Sequence, residues 1–227
     1  MTTTSAQQLD LTSYPVEKHY RSVRAAFDDL EPGAELIFKV SESPRAILKQ
    51  FIEDSWGQFD WAPLTGEENE WCVVMQRRAA TGPTSISEFM SSDHTRCDAL
   101  FADAESAALD KDLARAAAKF ASYEMGMYRH FEMEEHGFFP EFDVRMGLQD
   151  QGPTAVMREE HQQIRGLLSR MRSDIDDGDL DAFVATGETL VILMEQHNMK
   201  EEQMLYEMAD EIFGAEIDPL LKKLVLF

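Results

Sequence analysis

The sequence predicts two domains of different class: a small α+β two-layer sandwich of order βαβαββ, followed by an all-α up-down-up-down four-helix bundle. Three observations predict this division. Strand and helix patterns alternate through roughly the first third of the 227 residues, whereas long helical patterns without strand signals fill the rest. The helical part also contains one histidine–glutamate pattern twice. A chain of this length can give each domain its own hydrophobic core.

The first domain is predicted over residues 9–78, after a polar tail at 1–8 that we expect to be disordered. Pro15 begins a helix in which apolar residues recur at steps of four and three. Turns are expected at Gly33 and Gly66. The remaining elements are a strand at 9–11, a strand at 35–40, a helix at 44–54, and strands near 59–62 and 71–76.

Turn and core segments of this domain resemble the sulfur-carrier fold of the TusA/SirA kind, and more closely a related family of uncharacterised domains often fused to metal-binding bundles. The segments are LDL, the helix-opening Pro15, LEPGAEL, SPRAI and WGQF. The resemblance implies the fold alone. Where the sulfur carriers have a reactive cysteine before the helix proline, this chain has Tyr14, so sulfur transfer is not expected.

The bundle is predicted over residues 85–213, after a short linker at 79–84, and an apolar tail follows at 214–227. Ser85 and Glu88 have the spacing of a capping box that opens the first helix. Asp110 is predicted to cap the second helix, and Gly152–Pro153 to open the third. The fourth helix is predicted to begin after its cap Asp179 and to end at Gly214. Pro140 is expected to kink or tighten the second helix.

Histidines in the bundle follow an internal repeat. His130 and His197 each begin a His-x-x-x-Glu pattern, and a step of four residues keeps both side chains on one helix face. His94 and His161 each lie 36 residues before one of these copies, and the two halves are offset by 67 residues. The residues predicted to converge are His94, His130, Glu134, His161, His197 and Glu201.

These six residues also fall at similar heights in the predicted bundle. About 15 to 19 helical residues separate each histidine from the turn between its helix pair, so the paired histidines reach one level. A single core histidine is usually a hydrogen-bonded core residue, which is the structural alternative. Four of them at repeated spacings, two with a glutamate, favour metal binding because an unpaired buried carboxylate is very costly. Imidazole and carboxylate ligands suit iron, manganese or zinc.

The repeated pattern resembles the hemerythrin-like, HHE-type cation-binding domain over about residues 85–213. The resemblance implies two iron ions with an oxo or hydroxo bridge, held by the four histidines and bridged by Glu134 and Glu201. Manganese and zinc are alternatives. Oxygen-carrying hemerythrins place a fifth histidine where this chain has Arg165, a permanent cation that cannot ligate. This departure is similar to bacterial proteins that repair iron centres after nitrosative stress and to iron-sensing hemerythrin-like domains.

Charge and composition restrict the partners. A formal net charge of −22 makes a nucleic-acid or anionic-membrane partner unexpected, because either would require a basic face. The sequence has no signal-like amino-terminal segment and no run of about 18 apolar residues, so a cytoplasmic location is expected. Cys72 and Cys97 are too few for a disulfide framework. The apolar tail is expected to dock on the bundle or the first domain, or to form a homodimer contact.

Two functions of different class follow from the predicted centre, beside a purely structural role in which the metal holds the bundle together. The first is redox or nitrosative and oxidative stress chemistry, in which nitric oxide or peroxide is reduced or iron centres are repaired. The alternative is a non-catalytic protein that binds or senses oxygen, iron or redox state. The expected small-molecule partners are O2, NO and H2O2.

Two finer expectations concern the residues around the ions. Without a fifth histidine the two irons should be nearly equivalent and should oxidise quickly in oxygen. Asp98 and Arg165 occupy equivalent places one turn past His94 and His161. We expect both to point inward and to form a buried ion pair.

Overall fold

The computed structural model describes residues 6–67, 70–80, 82–148 and 151–227. The chain divides into two compact units. One comprises the described residues up to Pro83 together with Val225–Phe227, and the other is Thr84–Leu224. The α+β sandwich and the helical bundle predicted from the sequence are both confirmed.

The first unit has a four-stranded sheet of order β1-β2-β4-β3. Strand β1 is parallel to β2, and the other neighbouring pairs are antiparallel. A parallel pair needs a crossover, which helix α1 supplies. The elements are β1 (Gln7–Asp10), α1 (Val16–Asp28), β2 (Glu35–Val40), α2 (Arg45–Ser55), β3 (Phe59–Glu67) and β4 (Glu70–Arg77).

Aromatic side chains from both helices and the sheet fill the core of this unit. Phe51 of α2 lies edge-on to Phe27 of α1 and to Phe59 of β3, with ring centroids 5.2 and 5.4 Å apart. Two predicted boundaries differ from the structure. Strand β1 begins at Gln7, two residues before the predicted start, and β3 continues through Gly66, where we expected the turn. Residues 68 and 69 lie outside the described part of the chain.

The described part of the second unit contains four long helices, which pack as two antiparallel pairs. They are α3 (Ile86–Leu109), α4 (Leu113–Glu132), α6 (Pro153–Asp176) and α7 (Leu180–Lys200), with shorter helices α5 (Phe139–Met146), α8 (Tyr206–Phe213) and α9 (Ile217–Leu224). Ser85 caps α3 by accepting from the backbone N–H of Glu88 at 2.9 Å, as the capping box predicts. Asp179 caps α7 as predicted, whereas α4 is capped by Asp112 rather than Asp110.

Two π-helical turns interrupt the second and fourth long helices, at Met133–Phe138 and Glu201–Leu205. In each, the backbone N–H of the following residue, Phe139 or Tyr206, donates to the carbonyl of the glutamate five residues earlier. Pro140 lacks an N–H, which favours such a turn in the first copy. The second copy has Glu207 at that position, so proline alone does not explain the pair.

The predicted apolar tail is mostly helical. Leu220, Leu221 and Leu224 of α9 are buried, and α9 packs against α3 and the first π-helical turn. Val225 belongs to the first unit, where its carbonyl accepts from the indole N–H of Trp61 at 2.7 Å. The homodimer contact stays a prediction. Within the described ranges, no helix combines the length and apolar character needed to cross a membrane.

Candidate metal centre

All six predicted residues meet in one buried layer of the bundle. Each histidine comes from a different long helix, and each glutamate lies in a π-helical turn. The most exposed of the six is His94, at 4%. The shortest distances are 3.1 Å from His94 Nε2 to His130 Nε2, 3.1 Å from His161 Nε2 to Glu134 Oε2, and 3.3 Å from His197 Nε2 to Glu201 Oε1.

Two groups of ligand atoms within this layer are compact enough to hold a cation. Glu134, His161, His197 and Glu201 form the first group, which we name position 1. His94, His130 and Glu201 form the second, position 2. In each group the ligand atoms lie within 4.8 Å of one another. Glu201 belongs to both groups because its Oε1 faces His197 and its Oε2 lies 3.3 Å from His94 Nε2.

The ligand atoms of position 1 suit a metal ion because no group in the described part of the protein forms a hydrogen bond with them. Glu134 Oε2, His161 Nε2, His197 Nε2 and Glu201 Oε1 are buried and make no hydrogen bond of acceptable geometry. Buried polar atoms are rarely left without a partner. A cation among these four atoms would satisfy all of them.

In each of the four histidines of the layer, Nδ1 lies within hydrogen-bond distance of a carboxylate outside the layer. The N···O distances are 2.7 Å for His94–Glu202, 3.1 Å for His130–Asp93, 2.7 Å for His161–Glu135 and 3.0 Å for His197–Glu160. When Nδ1 donates its proton to a carboxylate, the lone pair of Nε2 faces inward, which is the tautomer that a metal requires. The outer carboxylates therefore prepare all four imidazoles for metal binding.

Sequence reasoning missed these four carboxylates, although the internal repeat contains them. Asp93 and Glu160 immediately precede the first histidine of each half, and Glu135 and Glu202 immediately follow the predicted glutamates. All four therefore obey the same offset of 67 residues. The recurrence of an acidic residue at equivalent positions of the repeat could have predicted these carboxylates.

Basic side chains neutralise three of the outer carboxylates. Asp93 accepts from Arg96 at 2.9 Å and Arg129 at 3.1 Å, and Glu160 pairs with Lys200. Arg165 donates to Glu135 at 2.9 Å and lies over the ring of Phe131. The expected buried pair between Asp98 and Arg165 is therefore wrong. Asp98 is exposed, and the long arginine side chain reaches Glu135 on the neighbouring π-helical turn instead.

The two inner carboxylates have opposite pKa shifts. Burial and the adjacent charge of Glu134 raise the pKa of Glu201 well above its usual range. Burial disfavours ionised Glu134 as well, but the surrounding imidazoles of His130, His161 and His197 outweigh it and lower its pKa. Two full negative charges in this layer therefore require additional positive charge, which divalent cations would supply.

Tyr206 adds a hydroxyl group to the centre that the sequence pattern did not predict. The hydroxyl lies 2.8 Å from Glu134 Oε1, 3.0 Å from Glu201 Oε2 and 3.3 Å from His94 Nε2. Phe139 is its counterpart in the first half of the repeat, at the same offset of 67 residues. The Phe139 ring stacks on His161, with centroids 5.9 Å apart.

A cavity of about 230 Å³ lies between α3, α4 and α7 beside the metal layer. Its walls include the apolar side chains of Phe101, Leu190 and Met194, and Asp98 and Glu195 add acidic groups. Asn198, which directly follows His197, also lines it. The cavity suits a small uncharged molecule better than an anion, because the acidic groups repel negative charge.

Comparison with known proteins identifies one family. The model of the hemerythrin HHE cation binding domain matches residues 85–209, more than half of the chain. No curated protein and no solved structure gives a significant match. The matched range contains all six residues of the buried layer and the four outer carboxylates.

Proposed function

This chain belongs to the hemerythrin HHE cation-binding domain family, and from that premise we propose that it is a non-haem di-iron protein acting on small redox-active molecules. The four unpartnered acceptor atoms at position 1 carry the proposal, because they require a cation and nothing else in the layer satisfies them. His94, His130 and Glu201 would hold the second ion. Glu201, which belongs to both groups, would help to hold both ions, Glu134 would lie beside it, and we propose an oxo or hydroxo bridge for this pair.

The choice of iron rests on ligand chemistry and on the family. Four imidazoles and two carboxylates form a mixed nitrogen and oxygen site, which suits iron and also admits manganese or zinc. Two bound irons would supply one-electron redox changes at adjacent positions. Peroxide reduction and the pairing of two nitric oxide molecules both use such chemistry.

The protein's own residues would control access and geometry. The outer carboxylates fix the imidazole orientation, so the ligands need no rearrangement of tautomer when metal binds. The adjacent cavity has apolar walls, and its acidic groups disfavour anions. These features support O2, NO and H2O2 as partners, since all three are small and uncharged.

Stress chemistry, meaning nitric oxide or peroxide reduction or repair of iron centres, is the activity we propose for this centre. Stopped-flow spectra of the reduced, iron-loaded full chain mixed with nitric oxide, peroxide or oxygen test it. Repeated turnover of nitric oxide or peroxide with an electron donor is the expected result. A stable adduct without turnover would contradict it and would indicate the alternative, a protein that binds or senses these molecules.

We propose that the first unit shares the TusA/SirA-like fold but not sulfur transfer. Its βαβαββ order supports the fold. Tyr14 stands at the position of the reactive cysteine, and burial raises the pKa of Cys72 in β4, which makes it a poor nucleophile. Persulfide formation on Cys72 after incubation with a sulfur donor would contradict this proposal. Two free cysteines also fit the cytoplasmic location we propose.

A further inference from the structure

The two metal positions differ in how their atoms are already satisfied. The four ligand atoms of position 1 make no hydrogen bond. At position 2 the Tyr206 hydroxyl lies 3.3 Å from His94 Nε2. His94 Nε2 and His130 Nε2, 3.1 Å apart, both face the metal layer. The same hydroxyl lies 3.0 Å from Glu201 Oε2, the oxygen that faces position 2. A metal ion therefore meets four free ligand atoms at position 1 and, at position 2, two ligand atoms that contact the Tyr206 hydroxyl.

The two halves of the internal repeat differ at one equivalent place by a single hydroxyl group. Tyr206 and Phe139 occupy equivalent places, each as the first residue after a π-helical turn. The tyrosine hydroxyl contacts one oxygen of each inner glutamate and the Nε2 of His94. The phenylalanine has no hydroxyl, and the other oxygen of each glutamate and the Nε2 of His161 remain without a hydrogen bond. The three atoms that contact the Tyr206 hydroxyl thus correspond to three atoms on the other side that have no hydrogen bond.

We propose that Tyr206 is a positioning residue that makes the two metal positions unequal, so that position 1 fills first and position 2 fills second and more weakly. The proposal rests on the proposed function, since it assumes that the centre binds two cations. Filling position 2 requires the Tyr206 hydroxyl to give up its contacts with His94 and Glu201. It can keep its shortest hydrogen bond, to Glu134 Oε1 at 2.8 Å.

The inequality has a functional consequence. Position 1 offers four protein ligand groups and position 2 offers three. The ion at position 2 is then the exchangeable one, and the protein can exist with one or two ions according to metal supply. The expectation of two nearly equivalent irons, which follows from the absence of a fifth histidine, is the alternative that the following titration tests.

The test is a titration of the full chain, freed of metal by a chelator, with Co2+ alone in the presence of a competing chromophoric chelator. The wild-type chain should bind two ions in steps that differ by at least about tenfold in affinity, as expected for displaced hydrogen bonds to charged groups. Tyr206→Phe should strengthen the second step by about tenfold and change the first by less than about threefold. Tyr123→Phe, which removes a hydroxyl from the apolar bundle core, is the matched control and should change neither step.

A mirror variant keeps the proposal testable if Tyr206→Phe does not fold. Phe139→Tyr adds a hydroxyl at the equivalent place, where it should occupy the free atoms of position 1 and weaken the first step. Circular dichroism of each variant checks that the helices are retained.

Several results would overturn the proposal. These are equal affinities in the wild-type chain, a second step unchanged or weakened by Tyr206→Phe, and an unaffected first step in folded Phe139→Tyr. A visible phenolate-to-iron absorption in the ferric wild-type protein that Tyr206→Phe removes would show that Tyr206 is a ligand, which also overturns it. Failure of the proposed two-ion centre would look different, because the wild-type chain would then bind no metal in either step.

Discussion

Nδ1 of His94 lies 2.7 Å from Oε1 of Glu202, and this carboxylate side chain is 40% exposed. The outer carboxylates that hold the other three histidines are 8 to 18% exposed. Glu202 can therefore be changed with little disturbance of the core, which makes it the best place to test the role of the outer carboxylates.

Replacing Glu202 with alanine should weaken metal binding at position 2 by about 10- to 100-fold, the usual cost of losing a carboxylate that orients a ligating histidine. The measurement is the second step of a metal titration. Glu207→Ala, which removes an exposed carboxylate nearby on α8, is the control and should bind normally. Equal behaviour of the two variants would mean that Glu202 does not orient His94.

Glu134 should be essential for full metal content. Protein from iron-replete medium should approach two irons per chain by elemental analysis, and Glu134→Ala should lose about half of this or more, because each ion loses charge compensation. Glu132→Ala is the matched control, since that side chain is 53% exposed on the same helix. A native content near one iron, with Glu134→Ala unaffected, would contradict the bridging role.

Arg165→Leu should reduce the free energy of unfolding only modestly, by about 1–2 kcal/mol. The Arg165 side chain is 29% exposed, and at such a site an ion pair and a cation–π contact each contribute little. Urea denaturation at fixed metal concentration measures the change, with Arg170→Leu at an exposed position of the same helix as control. A loss above about 3 kcal/mol would instead indicate a buried charge pair.

Cys97 should be an unreactive thiol in the folded protein. Burial raises its pKa to about 12, and only 3% of the residue is exposed. At pH 8 about one thiol in ten thousand would be ionised, and only the thiolate reacts with alkylating reagents. Mass spectrometry after brief iodoacetamide treatment should find Cys97 labelled only when urea is present. Labelling of the native protein at the rate of the unfolded chain would show that this part of α3 opens readily.

The sequence predicted those parts of the site that depend on α-helical spacing. His130 with Glu134, and His197 with Glu201, share a face because four residues make about one turn. The caps Ser85 and Asp179 were predictable because a side-chain oxygen must satisfy free N–H groups at a helix start.

Features that depend on contacts between helices could not be predicted in this way. Periodicity of 3.6 residues gives no signal for a π-helical turn, so the positions of Tyr206 and Phe139 against the metal layer were missed. The Asp98–Arg165 pair was wrong because equivalent helix positions do not fix where a long side chain ends. Arg165 finds Glu135 on another helix, at 2.9 Å.

The two π-helical turns also make the metal layer sensitive to chain length in a particular way. Each π-helical turn contains more residues than an α-helical turn. The helix that follows is therefore rotated about its axis, and its side chains point in other directions than they would in an uninterrupted α-helix. Deleting one residue from Glu201–Leu205 would rotate α8 by about 100°. Tyr206 would then leave the inner glutamates, and the apolar face of α8 would turn toward solvent. The position of Tyr206 at the metal layer therefore depends on the number of residues in this stretch as well as on their identity.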